Sequence, residues 1–194
     1  MPISATVVGD RGYVWDAEGA TWLRRHCRVV GAMSGNSAEH KQHNSAGGLP
    51  CELNPEELQL ALCQGWVVIR TTASLPEPTA NAAAPSTGLS TEHIQPKDLR
   101  GATVLIDLHS MGYYITDGAK FGADYLLYPG DPLLFHAQFT VRILEHDTPI
   151  KPALLAGSAR GSHAARKHLL LASVDGATAS FITVAPEGGF GSTG

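Results

Sequence analysis

Tyrosine and histidine side chains both exchange protons, and in YLLYPGDPLLFHAQF, residues 125–139, one of each flanks a sharp turn. Tyr128 closes one apolar, strand-like run and His136 opens the next, with Pro129-Gly130-Asp131-Pro132 between them. Proline presets φ for the second position of a β-turn and glycine permits positive φ at the third, so the chain is expected to reverse here. Asp131 is the expected cap of the short turn that follows. Such a reversal can bring a phenol and an imidazole into one cleft for acid–base work. From spacing alone the commoner reading is an amphipathic packing tyrosine and a satisfied surface or core histidine, and the functional one stays open beside it.

A second source of chemistry is ARGSHAARKHLLL, residues 159–171, where Arg160, Arg166 and Lys167 gather with His163 and His168. Cations favour the C-terminal end of a helix, which is sufficient reason for them to be here. They would also make a local phosphate-facing patch on a chain whose formal net charge is -4. Other constellations are missing. There is no GxxxxGK[ST], no dinucleotide-binding glycine turn and no GxSxG. His40, His43 and Cys51 do not complete the four ligands of a zinc site. Asp107 with His109, and Glu145 with His146 and Asp147, read as surface polar groups. No metal and no cofactor is expected.

The elements that must position these residues read as α/β. Hydrophobic residues make up 43% of the 194 and charged ones 16%, which predicts a folded, soluble chain. No apolar run approaches the roughly 20 residues of a membrane span. MPISATVVGDRGYVW lacks the basic and apolar regions of a secretory leader. Cys27, Cys51 and Cys63 form no CxxC pair, in keeping with free thiols in a reducing compartment.

ATVVG and GYVWD are expected to pair around Asp10-Arg11-Gly12, and Asp16 to cap a helix whose apolar positions include Ala20, Trp22 and Leu23. Residues 31–48 read as a mobile loop. Asn54-Pro55-Glu56-Glu57 opens a second helix, Gly65 stops it, and WVVIR follows as a strand. Residues 97–111 predict a helix, YYIT and ADYLLY strands, 152–165 a helix, and KHLLLASV with ASFITV a hairpin around Asp175-Gly176. In HAQFTVRI, Ala137, Phe139, Val141 and Ile143 alternate with His136, Gln138, Thr140 and Arg142. The Pro/Ala/Ser/Thr-rich residues 74–96 predict a linker. Two small mixed α/β domains are expected, at 1–73 and 97–187, with a frayed tail at 188–194.

GYYITDGAKFGADYLLYPGDPLLFHAQF, residues 112–139, and ARGSHAARKHLLLASV, residues 159–174, resemble the two signature blocks of the tRNA-splicing endonuclease family. GYVWDAEGATWLRR and GLPCELNPEELQLALCQGWVVI more weakly resemble the N-terminal domain of its smaller eukaryotic catalytic subunit, the one associated with the 3′ splice site. The resemblance implies a mixed sheet in the C-terminal domain and a catalytic set of Tyr128, His136 and Lys167. It implies metal-independent cleavage of precursor tRNA to a 2′,3′-cyclic phosphate and a 5′-hydroxyl.

In that chemistry His136 would protonate the leaving oxygen and Lys167 would stabilise charge on the phosphate. Tyr128 would take the proton of the 2′-hydroxyl or hold that hydroxyl in place. The resemblance further implies a nuclear heterotetramer with a second catalytic subunit and two structural subunits, the last two strands being the expected interface. Two rival readings are a non-catalytic structural or RNA-binding subunit of the same assembly and a stand-alone RNA-binding module. The complete Tyr128, His136 and Lys167 set opposes the first. The negative net charge and absence of an aromatic-basic RNA motif oppose the second.

Overall fold

The computed structural model describes residues 2–35, 48–70 and 99–185. The chain divides into two units, Met1–Thr21 with Ala32–Lys97 and Trp22–Gly31 with Asp98–Gly194, and each contains one five-stranded mixed sheet. The expected linker at 74–96, the tail at 188–194, and His40 and His43 lie outside the described residues.

In the first unit β1 (Ile3–Val8) and β2 (Arg11–Val14) pair antiparallel, with Val8 opposite Arg11. The loop is therefore Gly9-Asp10, one residue earlier than expected, because Gly9 supplies the positive φ (+65°) that a two-residue hairpin needs. Arg11 and Gly12 belong to the strand. Part of the segment expected as a loop also forms structure: β3 (Ala32–Gly35) pairs with β4 (Gly48–Leu53), a strand the sequence reading missed. With β5 (Val67–Ile69) parallel to β1, the order is β3-β4-β2-β1-β5.

Helix α2 (Pro55–Cys63) starts as the sequence predicts. The Asn54 side chain accepts from the Glu57 N–H at 2.7 Å, and the Glu57 carboxylate accepts from the Asn54 N–H at 3.2 Å, a reciprocal capping box. Leu58, fully buried, packs beside Gly12, where a Cβ would approach it to 2.8 Å.

Helix α1 (Ala17–Cys27) is capped by Asp16, which accepts from the Gly19 N–H at 2.7 Å. Its buried positions are Gly19, Leu23 and Cys27, each four apart; Trp22 is 41% exposed and stacks on the ring of His26 instead of joining the core. In the second unit, α3 (Leu99–Ser110) precedes β6 (Tyr114–Asp117), a 3₁₀ turn at Ala119–Phe121, and β7 (Tyr125–Tyr128). Then come β8 (Phe139–Leu144), α4 (Pro152–Ala164), β9 (His168–Asp175) and β10 (Thr178–Val184).

The second sheet runs β10-β9-β8-β7-β6, and only β8 and β9 are parallel, joined by the α4 crossover. The hairpin of β9 and β10 turns at Gly176, φ +58°. Helix α3 packs on this sheet, where the Tyr125 hydroxyl donates to the Gly101 carbonyl at 3.2 Å. From α4, Ser162 shares a hydrogen bond with Thr140, which is 1% exposed. The alternation in β8 therefore separates two covered faces, and its polar face is not the solvent face that alternation ordinarily marks.

His109 is also inside, where a surface group was expected. It is 8% exposed, and its Nε2 donates to the Cys27 carbonyl at 2.7 Å, while Arg28 donates to the His109 carbonyl at 2.9 Å. The end of α1 and the end of α3 are thereby joined in both directions. Burial holds His109 below its ordinary pKa and pushes the Cys27 thiol up to about 11.

Two stability predictions follow from these contacts. Asn54→Ala should cost about 1 kcal/mol, read from the urea midpoint at unchanged slope. Because the folded chain binds the His109 proton less readily than the unfolded chain, stability should be complete above about pH 6.5. It should then fall as the pH drops below that value. His109→Gln should flatten this dependence between pH 7.5 and 5.5; parallel profiles for the two proteins would contradict the assignment.

Candidate active site

Tyr128 is the last residue of β7, paired with Tyr114 of β6. Its side chain is half-buried, and the Thr116 hydroxyl lies 3.4 Å from the phenol oxygen. The chain then reverses through residues 129–135, though not by the expected route. Gly130 does not take positive φ. Its lack of a side chain is used differently: the Phe135 ring folds over it so closely that a Cβ would lie 2.5 Å away.

Asp131 caps the turn as expected, its carboxylate accepting from the Leu133 N–H at 2.9 Å. Its carbonyl accepts from Leu134 and Phe135. Arg24 of α1 pairs with the carboxylate, and this hydrogen bond holds the Asp131 pKa below the usual carboxylate value. No sequence signal joined Arg24 to this turn, because 107 positions separate it from Asp131.

His136 does not open the next strand. It is exposed in the connecting segment, and β8 begins at Phe139. Between them Ala137 is buried, and the Gln138 N–H donates to the Leu127 carbonyl at 2.8 Å. The Gln138 carbonyl accepts from the His168 N–H at 2.9 Å.

Lys167 is placed by the end of α4. The Arg166 N–H bonds the His163 carbonyl at 2.9 Å and the Lys167 N–H bonds the Ser162 carbonyl at 2.9 Å, the paired bonds of a Schellman motif. Such a motif needs a left-handed residue, and Arg166 occupies that position at φ +54°. Lys167 is thus the first residue beyond the helix stop, directly before β9. Its Nζ donates to the Ala165 carbonyl at 3.1 Å and lies 4.9 Å from the centre of the Phe121 ring.

These connections bring the three predicted residues to one end of the sheet. Strand β7 ends there, the antiparallel β8 begins there, and the parallel β9 begins beside it. Tyr128, His136 and Lys167 stand at the rims of three neighbouring strands. The rest of the basic segment is spread out: Arg160 bonds within its own helix, and the His168 ring lies 5.7 Å from that of Phe139.

A cleft of about 310 Å³ lies nearby, lined by Phe121, Thr140, Arg142, Ser158, Ser162 and Leu169 among others, and none of the three residues lines it. His136 is exposed, and Tyr128 and Lys167 are half-buried. Phe121, which the sequence reading did not single out, touches both the cleft and Lys167. Among the described residues no group of three or more His, Cys, Asp or Glu side chains is gathered as metal ligands.

Residues 100–181 match the family model of the tRNA intron endonuclease catalytic C-terminal domain. Residues 3–72 match the model of the TSEN34-like N-terminal domain. Among curated proteins, the chain is 40% identical over 67 residues to tRNA-splicing endonuclease subunit Sen34 of Mus musculus, a match covering 34% of this chain and 21% of that protein. It is 39% identical over 67 residues to Sen34 of Homo sapiens, covering 34% and 22%. Against a tRNA-splicing endonuclease of Saccharolobus islandicus it is 41% identical over 69 residues, covering 36% and 38%. The matched stretches thus span well under half the length of these relatives. The two matched stretches together take in most of the chain, which carries the catalytic C-terminal domain of the tRNA intron endonuclease family behind a TSEN34-like N-terminal domain.

Proposed function

We propose that the chain is a catalytic subunit of a tRNA-splicing endonuclease that cuts precursor tRNA at an exon–intron junction, the 3′ one. The observation carrying this reading is the convergence of Tyr128, His136 and Lys167 on one sheet end within the stretch that matches the catalytic-domain model. Cleavage without a metal requires three events. The 2′-hydroxyl loses a proton as its oxygen attacks phosphorus, negative charge grows on the phosphate oxygens, and the departing 5′-oxygen gains a proton. The products are a 2′,3′-cyclic phosphate and a 5′-hydroxyl.

His136, exposed and able to donate a ring proton, is the donor to the leaving oxygen. Lys167 supplies a point cation for the phosphate; its Nζ keeps further donors after bonding Ala165. Tyr128 acts on the 2′-hydroxyl, either accepting its proton or orienting it. The subunit works in a nuclear heterotetramer with a second catalytic subunit and two structural subunits. Strand β10, at the edge of its sheet with Ile182 66% exposed, supports its role as the docking edge. The rival, a non-catalytic subunit of the same assembly, predicts that the three side chains are dispensable.

Co-expression with candidate partner subunits and a cleavage assay on intron-containing tRNA test the reading. His136→Ala should abolish cleavage at one splice site, leave the other, and leave the complex assembled; unchanged cleavage at both sites would refute it. Wild-type cleavage should persist in EDTA, and a strict requirement for added metal would contradict the mechanism.

A further inference from the structure

Three exposed apolar residues, Leu133 (75%), Leu134 (80%) and Phe135 (49%), lead into His136. Their burial therefore cannot be the main support for this part of the turn. One end of the segment is fixed by the strand ladder at Gln138 and the buried Ala137. The other end is fixed at Asp131, which organises the turn through its carboxylate and its carbonyl together.

Asp131 is in turn held by Arg24. The guanidinium Nε donates to both carboxylate oxygens, at 3.1 and 3.0 Å, and a terminal nitrogen donates to Oδ1 at 2.7 Å. Both side chains are largely covered, at 23% and 22% exposure. A long flexible ion pair at the surface contributes little, but a covered fork of this kind fixes orientation as well as distance.

We propose that Arg24 is a positioning residue for cleavage: by clamping Asp131, it sets where the turn delivers the His136 imidazole. This rests on His136 being the proton donor. Arg24 touches neither substrate nor the reacting atoms. Its effect is confined to the protonation of the leaving group, and removing it leaves substrate binding in place. A displacement of about 1 Å is enough to cost on the order of a hundredfold in rate.

The test uses the full chain in its native assembly and precursor tRNA carrying either the normal 5′-oxygen or a 5′-sulfur at the scissile bond. In both substrates the 2′-oxygen bonds to phosphorus and the bond to the leaving atom breaks. Sulfur departs with the electron pair as a thiolate and needs no proton, whereas oxygen does. Arg24→Ala should lower the single-turnover rate on the oxygen substrate about tenfold to a hundredfold, with KM unchanged, and cut the sulfur substrate at close to the wild-type rate.

Asp131→Asn retains an oxygen for the Leu133 N–H and should show the same pattern. The double variant should be no worse than either single one. Arg24→Lys, which keeps the charge without the fork, should recover part of the loss. An Arg24→Ala enzyme of normal rate on oxygen would overturn the proposal, as would an equal loss on both substrates. If Arg24→Ala does not assemble, Arg24→Lys and Asp131→Asn are read against the same two outcomes. His136→Ala is the control: normal cleavage of the oxygen substrate by that variant rejects the role of His136 itself, whatever Arg24 does.

Discussion

The backbone of Gln138 is the constraint on which the site depends. Its N–H reaches Leu127 on one neighbouring strand, and its carbonyl receives the N–H of His168 on the other. Tyr128 follows the first partner and Lys167 precedes the second, while His136 lies two residues before Gln138 itself. Two hydrogen bonds at a strand entrance therefore set the spacing of three side chains drawn from distant stretches of the chain. Main-chain bonds of this kind depend little on residue type, so an ordinary glutamine can serve as the joint.

Around that joint, each residue is held by a different local device. Tyr128 is carried on a fully paired strand, Lys167 on the stop signal of a helix, and His136 on a turn with a capped beginning. The strand and the helix stop are rigid by geometry. The turn depends on a charge pair brought from α1, which makes His136 the residue whose placement responds most to distant substitution.

Much of this was legible in the residues. The capped start at Asn54-Pro55, the Asp175-Gly176 hairpin and the YLLY run ending at Tyr128 each carry a local signal, and they fold as read. What was misread depended on long-range partners. β4 holds a proline and no clean alternation, and is a strand because β2 and β3 flank it. The alternation in β8 gave its two faces but not what covers them, and nothing local announces that Ser162 will cover Thr140. His109 looked like a surface histidine because its acceptor, the Cys27 carbonyl, comes from another helix. Gly130 was read through backbone freedom, whereas it makes room for an aromatic ring five residues on. Tyr128, His136 and Lys167 were found through resemblance to a family; their spacing alone left two readings open.

The parallel pairing of β8 with β9 has a kinetic meaning. The β6–β7 and β9–β10 hairpins join residues close in sequence and can close early. The β8–β9 pair closes a longer loop, through α4, at a larger entropy cost. Lys167 is therefore brought beside Tyr128 and His136 by the pairing of greatest sequence separation in this sheet. Without β9 docked on β8, nothing in the short hairpins alone would hold Lys167 beside the rims that carry Tyr128 and His136.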